Sequence, residues 1–392
     1  MKVLIAGAGL GGLTAAACLL QRGHTVRVFE QAAELGEVGA GIQLSANAVK
    51  VMDSIGLRAE LEHSAVRPLA YEFRRFDTGE MLHRVPLNED DTHERVHGTP
   101  YFHVHRGDLH HMLAKRVQQL DPQCIQLSAR TTGFTQSAAE VRIQLDDGRE
   151  FSGDVLVGAD GIKSVIRPQI VGADNPIYTG QAAWRVVVPI ERLPANIMPR
   201  VVTVFCGPKN HAVVYFVRGG SLLNFVGCHE RDWEEESWTA RRPWRELQQE
   251  YVGWHPVVQT IIEAMDRDQC FRWALNRRVP HEHWSTARAT LLGDAIHPTL
   301  PYMAQGAVMA IEDAAVLSRC LSGAEPVADA LDRYQRNRAT RTSRIVREST
   351  EHGELFHITD AAEMREAFAR KDIARSRREW LYCYDPLAVE LV

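Results

Sequence analysis

Three glycines near the start of the chain have a spacing that serves phosphate binding. Gly7, Gly9 and Gly12 fill the fixed positions of a G-x-G-x-x-G pattern, and Leu10 and Gly11 complete the turn. The first glycine allows a tight turn, the second lets the backbone approach a pyrophosphate, and the third lets a helix pack on a strand. Free N–H groups at the helix start, together with the helix dipole, attract an anion. The pattern therefore predicts a dinucleotide site.

The elements that must hold this turn are visible in the same stretch. Lys2 to Ala6 is a short apolar run suited to a buried parallel strand, Leu13 to Arg22 predicts a helix, and Thr25 to Phe29 predicts a second strand. Glu30 ends that strand about twenty residues beyond the glycines, where a carboxylate binds ribose hydroxyls and repels a 2′-phosphate. The bound nucleotide is therefore expected to be FAD or NAD rather than NADP. A secretory signal peptide is disfavoured, because glycines interrupt the apolar run.

Two further acids follow apolar strands, as Glu30 does. Asp160-Gly161 follows one strand, and Gly293-Asp294 follows another near the end of the chain. Open α/β sheets bind ligands at the carboxyl ends of their strands, so both acids are candidates for ligand contact. An N-cap role explains Asp160 equally well.

Arg106 opens a predicted helix that runs to about Leu120, with Asp108 as an acid in its first turn. An arginine at such a helix start is positioned to contact a phosphate. His105 and His110 lie nearby, but their spacing is poor for ligands on one face of a helix. No metal site is predicted.

A strand-rich stretch from Ile177 to Val226 forms a second unit. Its period-two patterns and glycine turns predict an antiparallel sheet distinct from the opening βαβ unit. His211 and Tyr215 lie four residues apart on one strand and therefore share a face. That face is either core or one wall of a pocket that carries two proton-exchanging groups.

Composition restricts the class of partner. The 392 residues carry a net charge of −5, which gives no basic field for nucleic acid. No apolar run approaches the roughly 20 residues of a membrane span. Seven cysteines, odd in number and never in C-x-x-C spacing, indicate reduced thiols in a cytoplasmic protein. A small-molecule partner is expected.

Taken in this order and spacing, the segments resemble the single-component FAD-dependent aromatic hydroxylases, the family of salicylate hydroxylase, 3-hydroxybenzoate 6-hydroxylase and 6-hydroxynicotinate 3-monooxygenase. The resemblance covers essentially the whole chain. It implies that the glycine turn and Glu30 hold the ADP half of a tightly but non-covalently bound FAD, that Asp160-Gly161 serves both FAD and NAD(P)H, and that Gly293-Asp294 contacts the ribitol. Arg106 matches an arginine that meets FAD. The loop from Pro298 to Gly306, with Ala307 after it, matches the segment along the flavin ring.

The resemblance also implies a reaction. NADH or NADPH reduces the flavin, O2 adds to give a C4a-hydroperoxide, and its terminal oxygen attacks an electron-rich ring. Deprotonating a substrate phenol raises the electron density of the ring, so a base near the hydroxyl is valuable. His211, expected to have a pKa near neutrality, is the predicted base, and Tyr215 is predicted to orient the substrate. Pro301 and Tyr302 are further predicted substrate contacts.

The predicted activity is hydroxylation of a small hydroxylated aromatic acid of the salicylate or 3-hydroxybenzoate type. A 6-hydroxynicotinate-type hydroxylase, a flavoprotein reductase or oxidase, and an FAD-binding sensor remain alternatives. A simple NAD dehydrogenase is disfavoured, because Asp160-Gly161 and Gly293-Asp294 have no place in it. Arg185 is a candidate for contacts with FAD or the reductant, and an inter-strand salt bridge explains it equally well.

The predicted fold class is α/β, with a Rossmann-like FAD-binding domain interleaved with an antiparallel substrate domain. The predicted ranges are 1–70, 100–175 and 268–345 for the first, 71–99 and 176–267 for the second, and 346–392 for a C-terminal helical segment. Aromatic residues of the tail indicate docking on the body or on a second subunit, which would make a homodimer.

Three further stretches have local patterns that predict their structure. The glycine-rich stretch 36–47 is predicted to be a loop rather than a strand, lying beside a flat cofactor or serving as a plain connection. Residues 234–268 are predicted to be helical. The arginine-rich helix from Pro326 to about Ser349 is predicted to present a solvated basic face.

Overall fold

The computed structural model describes residues 1–36, 40–231, 240–371 and 373–392. Its strands, in chain order, are β1 (Lys2–Ala6), β2 (Thr25–Phe29), β3 (Gly41–Leu44), β4 (Ala70–Arg75), β5 (Met81–Pro86), β6 (Phe102–His105), β7 (Ile125–Gln126), β8 (Thr131–Gln136), β9 (Val141–Leu145), β10 (Glu150–Gly153), β11 (Val155–Gly158), β12 (Ile177–Pro189), β13 (Val202–Gly207), β14 (Asn210–Val217), β15 (Leu222–Glu230), β16 (Phe271–Arg277) and β17 (Ala289–Leu291).

The α-helices, in chain order, are α1 (Leu10–Gln21), α2 (Ala46–Ser54), α3 (Arg58–Ser64), α4 (Thr92–His97), α5 (Arg106–Leu120), α6 (Arg167–Val171), α7 (Trp244–Glu250), α8 (Pro256–Glu263), α9 (Gly306–Cys320), α10 (Val327–Phe356), α11 (Ala361–Arg370) and α12 (Ile373–Ser376). Within the described part of the chain, no helix is both long and apolar enough to cross a membrane.

A five-stranded parallel sheet carries the glycine turn. Its order is β17-β11-β1-β2-β7, so β1 lies at the centre. The strands are almost wholly apolar and buried, as expected for a parallel sheet covered on both faces. Because the strands are parallel, the residues that follow β1, β2, β11 and β17 meet at one edge. This edge gathers Gly7, Glu30, Asp160 and Asp294.

The second sheet has seven strands in the order β16-β12-β15-β14-β13-β4-β5. Neighbours are antiparallel except β13 and β4, which pair in parallel. The chain enters this sheet twice from the first unit, between β3 and β6 and again between β11 and β17. The predicted α/β class with interleaved sheets is confirmed. The range boundaries stay a prediction, although β16 lies beyond residue 268 and yet hydrogen-bonds to β12.

The expectation that residues 36–47 contain no strand is wrong. Residues 41–44 form β3, which pairs antiparallel with β6, while residues 37–39 lie outside the described part. Only glycine fits at position 41, because a side chain there would collide with Tyr215. An ideal Cβ on Gly41 would lie 2.4 Å from Tyr215 Cε2. The Gly41 N–H donates to Asn224 Oδ1 at 2.7 Å. At position 41 the glycine therefore reflects close packing rather than an irregular loop.

The helix expected over 234–268 is two short helices, α7 and α8, and residues 232–239 lie outside the described part. Gly253, at φ +81°, and Pro256, the first residue of α8, separate them.

The prediction that α10 presents a solvated basic face is also wrong for the middle of the helix. Arg338 is fully buried and contacts Glu312 and Asp313 of α9, each at 2.7 Å. Arg341 contacts Glu312 at 2.7 Å. Charges on a packed neighbour compensate these buried guanidinium groups, so Arg338 and Arg341 face α9. The other part of the prediction holds for Arg336, Arg344 and Arg347, which are exposed.

The C-terminal aromatic residues dock on the body. The Trp380 ring centroid lies 3.8 Å from Arg344 Cζ, and the Tyr384 ring centroid lies 4.0 Å from Arg341 Cζ. These cation–π contacts fix the tail on α10. The homodimer stays a prediction.

Candidate functional site

Two adjoining cavities form one cleft. The turn cavity, of about 150 Å³, is lined by residues of the glycine turn and of the loops after β11 and β17. The sheet cavity, of about 210 Å³, lies against one face of the seven-stranded sheet. The residues that line both are Ile42, Arg106, Asp294, Gly306 and Ala307. The cleft therefore runs from the start of α1 to the seven-stranded sheet.

The glycine turn is shaped by close backbone approach. Gly7 has φ +102°, and a Cβ on it would lie 2.5 Å from the Ala159 carbonyl oxygen. A Cβ on Gly12 would lie 2.1 Å from the Gly7 carbonyl oxygen. Gly9, by contrast, has no atom within 4 Å of an ideal Cβ and borders the turn cavity. Packing thus requires Gly7 and Gly12, whereas Gly9 leaves space for a ligand.

Leu10 and Gly11 line the same cavity at the start of α1. A Cβ on Gly11 would lie 2.6 Å from Leu292 Cδ2, so this glycine also serves helix packing.

Glu30 is held beside the turn. Its carboxylate accepts hydrogen bonds from the Ala8 N–H at 2.8 Å and from the Ala32 N–H at 2.9 Å. The first of these bonds links the end of β2 to the loop after β1. The carboxylate is thus fixed where a nucleotide on that loop would place its ribose.

Asp160 has one oxygen engaged and one without a partner. Oδ2 accepts from the Val165 N–H at 2.8 Å and from the Ile166 N–H at 3.3 Å, as a cap would. Oδ1 is buried and has no hydrogen-bond partner among the described residues. Burial raises the pKa of this carboxyl, although hydrogen bonds from Ser164 and the backbone oppose the rise. Asp160 is nevertheless not the N-cap of α6, because that position is Ile166 and has no side-chain cap bond, so the N-cap interpretation is wrong. A ligand contact through Oδ1 stays a prediction. Gly161 follows at φ +75° and lines the turn cavity.

Asp294 and Arg106 lie where the two cavities meet. Asp294 is surrounded by protein, so burial raises the pKa of its carboxyl, while His297 and Arg106 oppose that rise. Its side chain is nevertheless accessible, because it borders the cleft. Arg106 is the first residue of α5. Gly306 and Ala307 form the N-terminus of α9 on the opposite wall, where the helix dipole favours negative charge.

These residues fit a dinucleotide with a flat ring. The unpartnered Asp160 oxygen, the open space at Gly9 and the helix N-termini of α1 and α9 supply the acceptor, the room and the N–H groups that such a molecule needs. The two connected cavities supply the length.

The floor of the sheet cavity is one face of the seven-stranded sheet. Cross-strand register places His211 opposite Cys228, and Tyr215 lies four residues along β14 on the same face. Both residues line the sheet cavity. The pocket interpretation therefore holds for these two side chains, and their catalytic roles stay predictions.

His211 is held by a second histidine. Its Nδ1 lies 2.8 Å from His357 Nε2, which leaves Nε2 as the ring nitrogen available to a molecule in the cavity. The ring packs edge-on against Tyr302 and Phe356, with centroid separations of 5.1 and 5.2 Å. Burial, together with the nearby His357 and His229, lowers the pKa of His211 well below its usual value. The expected pKa near neutrality is therefore wrong, because the histidine is enclosed.

Tyr215 packs between Gly41 and His103. The ring centroids of Tyr215 and His103 are 4.5 Å apart. Burial raises the pKa of the phenol, and the nearby Arg185 opposes that rise. Tyr215 is therefore a neutral hydrogen-bonding group at physiological pH.

Pro301 and Tyr302 form a short turn over the other side of the sheet cavity. The Tyr302 hydroxyl donates to Gln181 Oε1. A Cβ on Gly353 of α10 would lie 2.5 Å from Tyr302 Cε2, so a glycine there makes room for the ring. The turn is also anchored by Ser349, whose hydroxyl donates to the Leu300 carbonyl at 2.7 Å.

Arg185 also lines the sheet cavity, with its Cζ 4.4 Å from the Trp273 ring centroid. Sequence reasoning missed other lining residues, namely Gln43, Tyr71, Cys228, Trp273 and Phe356. Alternation along β4 places Tyr71 on one face, but only the parallel pairing with β13 turns that face toward the cavity. No group of three or more His, Cys, Asp or Glu side chains within the described ranges is arranged to hold a metal ion.

Comparison with known proteins places these features in a family. Residues 1–349 match the family model described as an FAD binding domain. The chain is 36% identical to 3-hydroxybenzoate 6-hydroxylase of Polaromonas naphthalenivorans, over 97% of this chain and 96% of the relative. It is also 36% identical to 6-hydroxynicotinate 3-monooxygenase of Bordetella bronchiseptica, over 89% of this chain and 90% of that protein. The crystal structure of Klebsiella pneumoniae HpxO with FAD and uric acid superposes with a TM-score of 0.85 at 26% identity, covering 99% of this chain and 97% of HpxO.

Proposed function

Because the chain belongs to the FAD-dependent aromatic-ring hydroxylases, we propose that it hydroxylates a small hydroxylated aromatic acid of the salicylate or 3-hydroxybenzoate type, with NADH or NADPH as reductant and O2 as oxidant. The observation that carries the proposal is the position of His211 and Tyr215 in the sheet cavity, which shares five lining residues with the turn cavity. FAD, when bound, supplies the activation of O2 and accepts electrons from the nicotinamide.

Each part of the cleft has a proposed task in holding FAD. The turn Gly7, Gly9, Leu10, Gly11 and Gly12 binds the pyrophosphate through backbone N–H groups, and Glu30 binds the adenosine ribose. Residues further along the cleft serve the rest of the cofactor. These residues are Arg106, Gly161, Asp294, Gly306 and Ala307, which line the turn cavity, and Asp160, which precedes Gly161 in the chain.

The charge in the sheet cavity supports an anionic substrate. Two guanidinium groups, those of Arg106 and Arg185, line it, and the carboxylate of Asp294 lies beside Arg106 at the junction. Arg185, which lines the sheet cavity, is therefore the proposed contact for a ring carboxylate. A cavity of about 210 Å³ fits one ring.

His211 removes the phenol proton of the substrate through Nε2. Its lowered pKa keeps the ring neutral at physiological pH, so one ring nitrogen carries a lone pair that can accept a proton, although His211 does not retain that proton strongly. Tyr215 donates a hydrogen bond to the substrate from the same face, and Pro301 and Tyr302 close the cavity over the ring. These walls exclude water from the cavity and so limit side reactions with water during the oxygen transfer.

The test is NADH and NADPH oxidation by the FAD-loaded protein, with product analysis. The panel contains salicylate, 3-hydroxybenzoate, 4-hydroxybenzoate and 6-hydroxynicotinate. One compound is expected to stimulate oxidation strongly and to appear as its hydroxylated product. Stimulation by 6-hydroxynicotinate alone would favour the heteroaromatic alternative, which the Bordetella bronchiseptica relative supports. Oxidation that no aromatic stimulates would favour a reductase or oxidase, and no oxidation at all would favour a sensor.

Replacing His211 by alanine should lower coupled hydroxylation by about 10²–10⁴-fold while FAD stays bound, since this is the usual contribution of a general base. The matched control is His111→Ala, which removes an exposed histidine on α5, remote from the sheet cavity. Full activity of an FAD-loaded His211→Ala protein would exclude His211 as the base.

A further inference from the structure

His211 is the inner end of a line of three side chains that reaches the surface. Its Nδ1 lies 2.8 Å from His357 Nε2, and His357 Nδ1 lies 3.2 Å from Glu230 Oε1. The three residues come from β14, from the end of α10 and from the end of β15. His211 is 1% exposed, whereas the Glu230 side chain is 41% exposed. The line therefore leads from the sheet cavity to solvent.

One arrangement of ring protons satisfies every contact in the line. His211 carries its proton on Nδ1 and donates it to His357 Nε2, and His357 carries its own on Nδ1 and donates it to the Glu230 carboxylate. In this arrangement His211 Nε2 has a lone pair directed at the cavity. A proton that enters at Nε2 can leave at Nδ1 without any side chain changing place.

The surroundings prevent the proton from resting on His211. Burial and the neighbouring His357 and His229 disfavour an imidazolium at this position. The other groups that face the ring are Cys206 and Cys228 on the neighbouring strands and Tyr302 and Phe356 on the opposite wall, and all of these are neutral.

His357 is buried too, and burial lowers its pKa, but the carboxylate of Glu230 opposes that shift. Beyond His229 lie Glu250, at 3.0 Å, and Arg231, which contacts Glu250 at 2.6 Å. The only carboxylate in contact with either histidine of the line, within the described ranges, is that of Glu230. Positive charge is therefore most stable at the outer end.

We propose that His211, His357 and Glu230 form a proton path that carries the substrate phenol proton from the cavity to solvent. The substrate O–H bond breaks as a bond to His211 Nε2 forms. The Nδ1–H bond of His211 breaks as His357 Nε2 gains a proton, and the Nδ1–H bond of His357 breaks as Glu230 gains one. Water then takes the proton from Glu230, and both rings are left with their protons on Nε2. The starting tautomers are restored when a proton returns by the same path and His211 Nε2 gives its proton to the phenolate oxygen of the product. This inference rests on the proposed function, because that function supplies the phenol.

The first measurement uses the holoenzyme without substrate, so it does not depend on the activity. Ring ¹⁵N chemical shifts of the histidines report which nitrogen carries the proton. The expected result is a proton on Nδ1 of both His211 and His357. A proton on Nε2 of His357 would reverse the direction of the contact with His211 and overturn the path.

The second measurement is the rate at which a proton reaches solvent when the FAD-loaded protein binds 3-hydroxybenzoate. A pH-indicator dye in weak buffer reports the release by stopped flow, and ultraviolet absorbance reports the phenolate. We expect Glu230→Gln to slow release about tenfold and His357→Phe to slow it about a hundredfold, within the range of general acid–base contributions. Acetate should restore much of the rate in Glu230→Gln, since that position is exposed, whereas a purely structural role would not respond to acetate.

The matched control is Glu354→Gln, which removes an exposed carboxylate from the last turn of α10 and should release the proton at the normal rate. Normal release in both Glu230→Gln and His357→Phe would overturn the path while leaving His211 as a base. Phenolate formation in His211→Ala would instead exclude His211 as the base of the proposed function.

Discussion

Replacement of Arg338 by methionine should destabilise the protein through two buried carboxylates. Arg338 Nη2 lies 2.7 Å from Glu312 Oε2, and its Nε lies 2.7 Å from Asp313 Oδ1. All three side chains are 0% exposed. Methionine has a similar length and fills the space, so the change removes the charge while leaving little cavity. The two acids of α9 would then be buried with less compensation.

The expected loss is about 3 kcal/mol in the free energy of unfolding. Removing one partner of a buried ion pair costs about 3–5 kcal/mol. The lower end applies here, because Arg341 remains 2.7 Å from Glu312 and His297 remains 2.7 Å from Asp313. Against a total stability of roughly 5–15 kcal/mol, this is a large fraction.

The loss should depend on pH in a defined direction. Burial alone would raise the pKa of Asp313, but the charges of His297 and Arg338 outweigh it and hold the pKa at about 2. A depressed pKa stabilises the folded state above about pH 4, and this stabilisation is lost as pH falls toward 2. Without Arg338 the pKa of Asp313 and Glu312 must rise. The variant should therefore be most destabilised near pH 7.5 and regain part of the difference at pH 5.

The assay is urea unfolding followed by tryptophan fluorescence at both pH values. Arg336→Met is the matched control, since Arg336 is exposed on the same helix and contacts the exposed Asp332. The control should change stability by less than about 0.5 kcal/mol. A loss below 1 kcal/mol in Arg338→Met at pH 7.5, or a loss that grows at pH 5, would refute the reasoning.

Three further predictions concern the cleft. Gly9→Ala should raise the Kd of FAD at least about tenfold, as measured by titration, because the added methyl group occupies cavity space. The melting temperature of the FAD-free protein should not change, since the methyl group contacts no protein atom. Gly41→Ala should lower the free energy of unfolding by about 1–3 kcal/mol, because Tyr215 must move, and Tyr215→Leu in the same chain should remove most of that cost. Arg185→Met should raise the Kd of a carboxylated phenol about tenfold in a fluorescence titration, since a hydrogen bond to a charged group is worth about 1.5–3 kcal/mol. The Kd of phenol itself, which has no carboxylate, should stay almost unchanged.

The five-stranded parallel sheet could be predicted from the sequence, because the sequence patterns that indicate it are local. A strand, a glycine turn, a helix and an acid at the next strand end are all close in sequence around Gly7 and Glu30. Once the strands are parallel, geometry brings Asp160 and Asp294 to the same edge without further information.

The sheet cavity could be predicted only in part from the sequence, because its walls depend on pairing between distant segments. The face shared by His211 and Tyr215 follows from a spacing of four, but the proximity of Cys228 and Trp273 requires the register of β12, β14, β15 and β16. No local pattern carries that register.

The predictions for Arg338 and His211 were wrong for the same reason, because other segments of the chain bury both side chains. Arg338 has the sequence pattern of a surface helix residue and becomes buried only because α9 offers two acids to it. The pKa of His211 is lowered because burial, and then the nearby His357 and His229, disfavour the charged ring, and His357 comes from a segment far along the chain.

Because five residues border both cavities, the occupants of the cleft must share a boundary. A molecule that orders Arg106 or the start of α9 on one side prepares those groups for a molecule on the other side. The two binding equilibria are then linked, and the factor by which FAD tightens the aromatic acid must equal the factor by which the acid tightens FAD. Retention of FAD during dialysis should accordingly increase when the true substrate is present, which offers a way to find that substrate without measuring turnover.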